Sequence, residues 1–267
     1  MNNSIFVRLL GYRATFLHGD FLVYDRWRWL KKRLPKTRNE ESLIDIGCGS
    51  GAFTIVAALR GYMSIGLSWD KRNQDIAALR AKLCKAQADF PIVDVRFLHE
   101  KTEFIGRFNV AICFENIEHI QDDRKLMRDM YACLRPGGML LLSTPSYFYR
   151  AITAKDYGPF SKTEDGWHVR RGYTKAMLHE LCEQSGFMVE EISSCSGFFS
   201  QKGTTLMRSL CNLSFPLGWL LTLPLRVLPP IFDRFMAWAT HWPDYTICLV
   251  AYKPRYQNGG KNSPDGC

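Results

Sequence analysis

The nine cysteines of this 267-residue chain include no C-x-x-C pair, and their odd, scattered distribution argues against a zinc site and against a secreted disulfide framework. A reducing, cytoplasmic setting fits that usage. No internal repeat occurs, no residues cluster at metal-ligand spacing, and no aromatic-basic ribonucleoprotein motif is present. Repeat, metal-site and nucleic-acid readings are therefore set aside. Met1 to Leu10 is too short and too polar for a secretory signal. The uncharged run between Arg208 and Arg226 is shorter than the roughly 20 residues of a spanning helix, and two prolines and a glycine interrupt it.

What is present suits one large α/β domain with an appendage: 46% of the residues are hydrophobic and 23% charged. The net charge of +9 is concentrated early, in a helix-like stretch where Arg26, Arg28, Lys31, Lys32 and Arg33 accompany Trp27 and Trp29. A solvated basic face on an amphipathic helix explains this pattern, with phosphate or lipid headgroups as the alternative.

The chain is organised around Ser42 to Gly61. Leu43, Ile44 and Ile46 form a short apolar run suited to a parallel strand, Gly47, Gly49 and Gly51 follow, and Ala52 to Leu59 is apolar at helical spacing. A strand, a glycine turn and a helix N-terminus let a ligand rest against bare backbone. Gly47-x-Gly49-x-x-Ala52 alone also admits an NAD-binding reading. Cys48 inside the turn is a small filler or a nucleophile without an evident base.

Tyr62 to Leu67 reads as the second strand, and Ser68, Trp69 and Asp70 follow where nucleotide folds place a ribose-binding acid. Asp70 reads equally as a helix N-cap. Phe90 to Val93 is expected as the third strand, with Arg96 on the surface. Phe108 to Cys113 is the fourth, and Phe114, Glu115, Asn116, Glu118 and His119 fall beyond its carboxyl end, where ligands bind in open parallel sheets. A helix over 122–134 is predicted to stop at Arg135-Pro136-Gly137-Gly138, which reverses the chain into a strand at Met139 to Ser143. A long connection from Ser146 leads to a helix near 175–185, a strand from Phe187, an apolar proline-broken insert and a last strand at 245–252.

Asp45 with the three glycines spells D-x-G-x-G-x-G, which resembles motif I of the class I S-adenosylmethionine methyltransferases. Glu118-His119-Ile120 and Leu134-x-Pro136-Gly137-Gly138-x-Leu140-x-x-Ser143-Thr144-Pro145 resemble further segments of the type-11/type-12 grouping, which includes quinone-biosynthesis enzymes. The resemblance covers Glu41 to Gly197. It implies a doubly wound, mainly parallel seven-stranded sheet of order 3-2-1-4-5-7-6 with the last pair antiparallel, a Rossmann-like fold carrying the apolar helical insert before the last strand. It implies S-adenosylmethionine as cofactor and methyl transfer to an oxygen, nitrogen or carbon nucleophile. The cofactor-binding residues it suggests are Asp45, Gly47, Cys48, Gly49, Gly51, Ser68, Trp69, Asp70, Asp94, Val95, Phe114 and Glu115, with Asp94 or Glu100 on the adenine amine and Tyr12 and Arg13 as a flap. Ser68 departs from the family's acid.

His168 and Arg170, in Trp167-His168-Val169-Arg170, resemble the element over the acceptor pocket, and with His119 they are the catalytic candidates; a loop-pinning role is the alternative. Tyr157 and Glu164 are alternates. The expected organisation is a basic N-terminal segment (1–41), a core (42–200), an apolar insert (201–243), a final core strand (244–254) and a disordered tail (255–267). The insert reads as a lid, a membrane-interface segment on the inner face or a dimer contact. The partners expected are a small-molecule or lipid-like acceptor and, through 201–243, a peripheral membrane contact, with the oligomeric state left open. Two rivals stand: an NAD-dependent oxidoreductase and a catalytically silent cofactor-binding module.

Overall fold

The computed structural model describes residues 4–17, 19–38, 41–152, 156 and 158–255. The sequence expectations for Tyr157 and for the tail beyond Arg255 lie outside the described residues. Seven strands form one sheet in the order β3-β2-β1-β4-β5-β7-β6, as the motifs implied. They are β1 Ser42–Ile46, β2 Met63–Leu67, β3 Ala88–Asp89, β4 Phe108–Phe114, β5 Leu134–Pro145, β6 Met188–Cys195 and β7 Thr246–Tyr252. The first five run parallel, and β7 is antiparallel to both β5 and β6.

Central strands buried on both faces need continuous apolar side chains, and Leu43, Ile44, Ile46, Ala111, Ile112, Leu140, Leu141 and Leu142 are sealed from solvent. Helices α1 Ser4–Leu10, α2 Arg13–Leu17, α3 Phe21–Arg33, α4 Ala52–Ala58, α5 Lys71–Cys84, α6 Asp123–Cys133 and α7 Lys175–Gln184 surround the sheet. Their starts follow cap chemistry: Asp20, Asp70, Asp122 and Thr174 each accept a backbone N–H of the first turn.

Two local readings need correction. The helix stops where expected, α6 ending at Cys133, but the strand begins at once at Leu134 and runs irregularly to Pro145 instead of starting at Met139. Leu134 pairs with Phe108 and Met139 with Val110, so Arg135 to Gly138 bulges out of register. The bulge is held from the side, because Gly137 N donates to Lys253 O at 2.8 Å and Gly138 O accepts from Lys253 N at 2.9 Å. The third strand is two residues, earlier than Phe90 to Val93. Pro91 has no N–H to give the ladder, and pairing resumes only as an isolated bridge between Ser68 and Ile92.

Between β6 and β7 lie α8 Phe198–Leu213, α9 Phe215–Thr222 and α10 Leu228–Thr240. The stretch Phe215–Thr240 is long and apolar enough to cross a membrane by length and composition. It is nevertheless broken between α9 and α10 by a turn at Pro224–Val227, and both helices pack on α8. Gly218 makes the close packing possible, since a side chain there would strike the α8 backbone at Cys211.

Asp45 sits near the end of β1, buried, accepting from Thr54 Oγ1 at 2.7 Å. Burial raises its pKa to about 7. Because the folded value lies above the unfolded one, the carboxyl is harmless below the usual acid range and costs stability as pH rises through 7. Asp45→Asn is therefore expected to gain stability relative to wild type as pH rises from 5 to 8. Paired thermal melts check this; a pH-independent difference would contradict the buried-acid reading.

Candidate functional site

The carboxyl ends of β1 and β4 open a cleft of about 310 Å³ where helices on the two sides of the sheet diverge. Gly47, Gly49, Ser68, Trp69, Asp70, Asp94, Val95, Glu115 and His119, all expected from the sequence, line it. Gly47 and Gly49 take positive φ, 82° and 53°. A Cβ on Gly47 would collide with Asn116, whereas one on Gly49 would meet nothing and project into open space. That bare backbone ahead of the α4 N-terminus fits an adenosyl-type ligand, whose close approach a side chain would prevent.

Four expected residues support the cleft from behind. Asp45 is buried under Thr54, Cys48 Sγ lies 3.4 Å from Gln74 Oε1, and Gly51 forms the left-handed start of α4. Phe114 packs edge-on against Phe53, with ring centroids 4.8 Å apart. Burial raises the Cys48 thiol well above its usual range, which removes the nucleophile reading. Asp70 caps α5 through Arg72 N at 2.8 Å while still lining the cleft, so its two readings coexist.

Arg96 corrects the sequence reading, because it is part of the cleft wall. Its guanidinium holds both Asp94 oxygens, Nη2 at 2.5 Å, and reaches Glu164 at 3.3 Å. This contact keeps the Asp94 carboxyl below its ordinary pKa. Arg26 is a second correction. It is buried, not on a solvated face, and lies 3.3 Å from Glu115. The signal was its spacing from Leu22, Trp29 and Leu30, which places it on the apolar stripe. Glu115 also accepts from Ser143 Oγ at 3.1 Å, and its φ of 49° turns the chain at the end of β4. Asn73, Asn116, Ile120 and Gly166 complete the wall.

His119 and His168 meet edge to face with centroids 4.6 Å apart. The loop carrying His168 is tied to the β4 end through Val169 N, which donates to Glu118 O at 3.0 Å. His119 faces the first cleft, while His168 lines a second cavity of about 530 Å³ with Asp156, Pro159, Phe160, Ser161, Trp167 and Arg208. Burial, and then His119, lower the His168 pKa to about 4, so the ring is neutral at pH 7. His119 is lowered too, chiefly by burial. Arg170 pins the loop instead of opening to a pocket: it binds Asp123 and Tyr173, and Nη2 donates to Ile120 O and Gln121 O at 2.8 Å.

Glu118 is fully buried. Its Oε2 accepts from Thr144 Oγ1 at 3.1 Å, but Oε1, 4.0 Å from His119 Nε2, has no hydrogen-bond partner, and neither has His119 Nδ1. One ligand atom each from Glu118, His119 and His168 lies within 4.8 Å of the others, so folding assembles a potential cation site that sequence spacing did not display.

A family profile described as a methyltransferase domain matches residues 17–192. A ubiquinone biosynthesis O-methyltransferase of Marinobacter nauticus is 29% identical over 118 residues, covering 43% of this chain and 50% of the relative. The chain spans about half the length of the curated relatives it matches. Phosphoethanolamine N-methyltransferase 2 of Haemonchus contortus, solved with S-adenosyl-L-methionine, has a TM-score of 0.60 at 16% identity over 95% of this chain and 60% of that one. The cyclase SpnF gives 0.58 at 19% identity, covering 87% and 82%. At these identities the two structures show a shared fold.

Gly49→Ala would put a methyl group into the cleft, whereas Gly106→Ala carries a similar positive φ, 62°, outside it. Both substitutions share the backbone strain of about 1 kcal/mol. Calorimetric titration is expected to show S-adenosylmethionine affinity reduced roughly tenfold or more by Gly49→Ala alone. Equal affinities in the two folded variants would remove the glycine turn from the binding site.

Proposed function

This chain belongs to the methyltransferase-domain family, and from that premise we propose that it methylates a nucleophile on a small, lipophilic acceptor with S-adenosylmethionine as cofactor. The observation that carries the reading is the histidine pair: His119 faces the nucleotide-type cleft, and His168 faces the neighbouring, largely apolar cavity. A donor in the first and an acceptor in the second would meet at these rings. In this reading Gly47 and Gly49 offer backbone to the amino-acid part of the cofactor. Ser68, Trp69 and Asp70 border the ribose, and Asp94 and Val95 border the adenine. The cofactor supplies an electrophilic methyl group and leaves as S-adenosylhomocysteine.

The protein's part is placement and proton handling. A neutral His168 accepts the acceptor's proton as the new bond to carbon forms, and the pair of electrons from the broken carbon–sulfur bond stays on sulfur. Pro159, Phe160 and Trp167 offer the acceptor apolar surface and favour apolar molecules. The matched relatives are named ubiquinone biosynthesis O-methyltransferases, which supports an oxygen nucleophile. Ser68 stands where an NAD enzyme would carry its ribose-binding acid, so the oxidoreductase reading has less support. The apolar cavity and insert favour an enzyme held peripherally at a membrane, and the scattered free cysteines favour the cytoplasmic side.

The unpartnered Glu118 Oε1 favours one second reading. A divalent cation held by Glu118, His119 and His168 would bind the acceptor oxygen and lower its pKa, so that no general base is needed. Assays with labelled S-adenosylmethionine and lipid-extract fractions test both. With His168 as base, His168→Ala is expected to lower turnover by roughly 100-fold or more with unchanged cofactor affinity and no response to chelator. Loss of activity in EDTA, restored by a divalent metal, would move the mechanism to the cation. No methylation of any fraction, with cofactor bound, would point to a binding module or another chemistry on this fold.

A further inference from the structure

The insert leaves an apolar face in water. Leu213, Leu217, Leu220, Ile231, Phe235 and Trp238 are each more than half exposed on α8, α9 and α10. The opposite face is firmly attached. Met207 and Trp219 bury against Phe21 of α3, and Arg226 donates to Gly19 O at 2.6 Å. Asp233 accepts from Phe199 N at 2.6 Å and Gly197 N at 3.1 Å. The outward apolar side chains are thus presented by a braced scaffold.

Charge selects what covers them. From Phe198 to Pro243 the only acid is Asp233, turned inward as described; of the four cations, Arg226 is also turned inward and Arg208 pairs with Asp20 at 2.7 Å, which leaves Lys202 and Arg234 toward solvent. Beside the apolar face, α3 and α10 share a shallow cleft of about 570 Å³ that brings Arg28, Lys32 and Arg234 together with Pro229 and Pro230. The acids in that cleft are engaged: Asp25 with Ser200 and, at 3.8 Å, with Arg28, Asp233 with the α8 N-terminus and Asp244 with Ser194 Oγ at 2.5 Å. A second copy of this chain would bring the same basic rim against itself. An anionic surface with an apolar interior matches both halves of the patch.

We infer that this face docks on a bilayer rich in anionic phospholipid, with the apolar side chains of α9 and α10 entering the acyl boundary and Arg28, Lys32 and Arg234 meeting headgroups. The packing of both helices on α8, on either side of the 3-10 turn at Pro224–Val227, makes the segment lie on the membrane rather than cross it. Arg208 of α8 belongs to the lining of the His168 cavity, so that cavity touches the insert. A lipophilic acceptor would pass from lipid to the site without crossing water, a consequence that rests on the acceptor reading above.

The test is flotation of the full chain with phosphatidylcholine vesicles containing graded phosphatidylglycerol. Wild type is expected to float increasingly with anionic content and to be partly released by high salt. Leu220→Ser/Ile231→Ser/Trp238→Ser and Lys32→Glu/Arg234→Glu should each cut binding by roughly tenfold or more. All five positions are outside the cofactor cleft, so unchanged S-adenosylmethionine affinity verifies the fold of the variants. Wild type remaining off every vesicle, or sedimenting as a dimer that the apolar triple variant dissociates, would overturn the proposal. Floating does not depend on turnover, so failure of the methyltransferase reading would leave this result intact.

Discussion

The close approach of Gly47 to Asn116 is the constraint on which the site depends. β1 and β4 are neighbours in register, with Asp45 opposite Ile112, so their carboxyl ends emerge side by side. Only a residue without a side chain can turn out of β1 there, because Asn116 fills the place a Cβ would take. From that junction β1 leads toward β2 and β3, and β4 toward β5. The cleft is the gap that these opposite windings leave. Gly49, Ser68 and Asp94 come to it from one side, and Glu115 and His119 from the other.

The topology was legible in the sequence because parallel strands and their glycine turns depend on local patterns. Apolar runs mark strands covered on both faces, and Gly47, Gly49 and Gly51 mark positive φ where a ligand or a packed neighbour leaves no room. What misled was local chemistry with a distant partner. Pro136-Gly137-Gly138 marks the end of α6 correctly but looks like a connection outside the sheet until Lys253, more than a hundred residues later, supplies the hydrogen bonds that hold it there. Arg96 looks like surface until Glu164 arrives on a long loop to share it with Asp94. The Glu118, His119 and His168 grouping was invisible for the same reason. Adjacent residues cannot converge with a third some fifty positions away unless the fold brings them together.

Arg26 shows how the N-terminal segment and the core become one structure. A buried guanidinium needs a counter-charge, and Glu115 provides it at the point where β4 ends. The same helix contributes Asp25, which accepts from Ser200 of α8, and its preceding loop receives Arg226 from the insert. Burial raises the Asp25 pKa to about 6, so this junction carries a desolvation cost at neutral pH that apolar contacts such as Phe21 with Met207 and Trp219 help to offset. Helix α3 is consequently the bridge between the cofactor side of the sheet and the exposed helices beyond β6.

That bridge gives the two cavities a common frame. His168 sits on the connection between β5 and α7, a segment with little regular structure, yet Val169 is hydrogen-bonded to Glu118 and Arg170 is clamped to Asp123, Tyr173 and the Ile120 and Gln121 carbonyls. Pinning by Arg170 is therefore what lets a loop histidine hold a fixed position against His119. Desolvation then keeps the ring neutral. A neutral imidazole can serve either reaction reading, as a proton acceptor or as a metal ligand, because both require the unprotonated nitrogen. The protonation state of the ring follows from how the loop is buried; the choice between the two chemistries turns on whether Glu118 Oε1 finds a cation or stays without a hydrogen-bond partner.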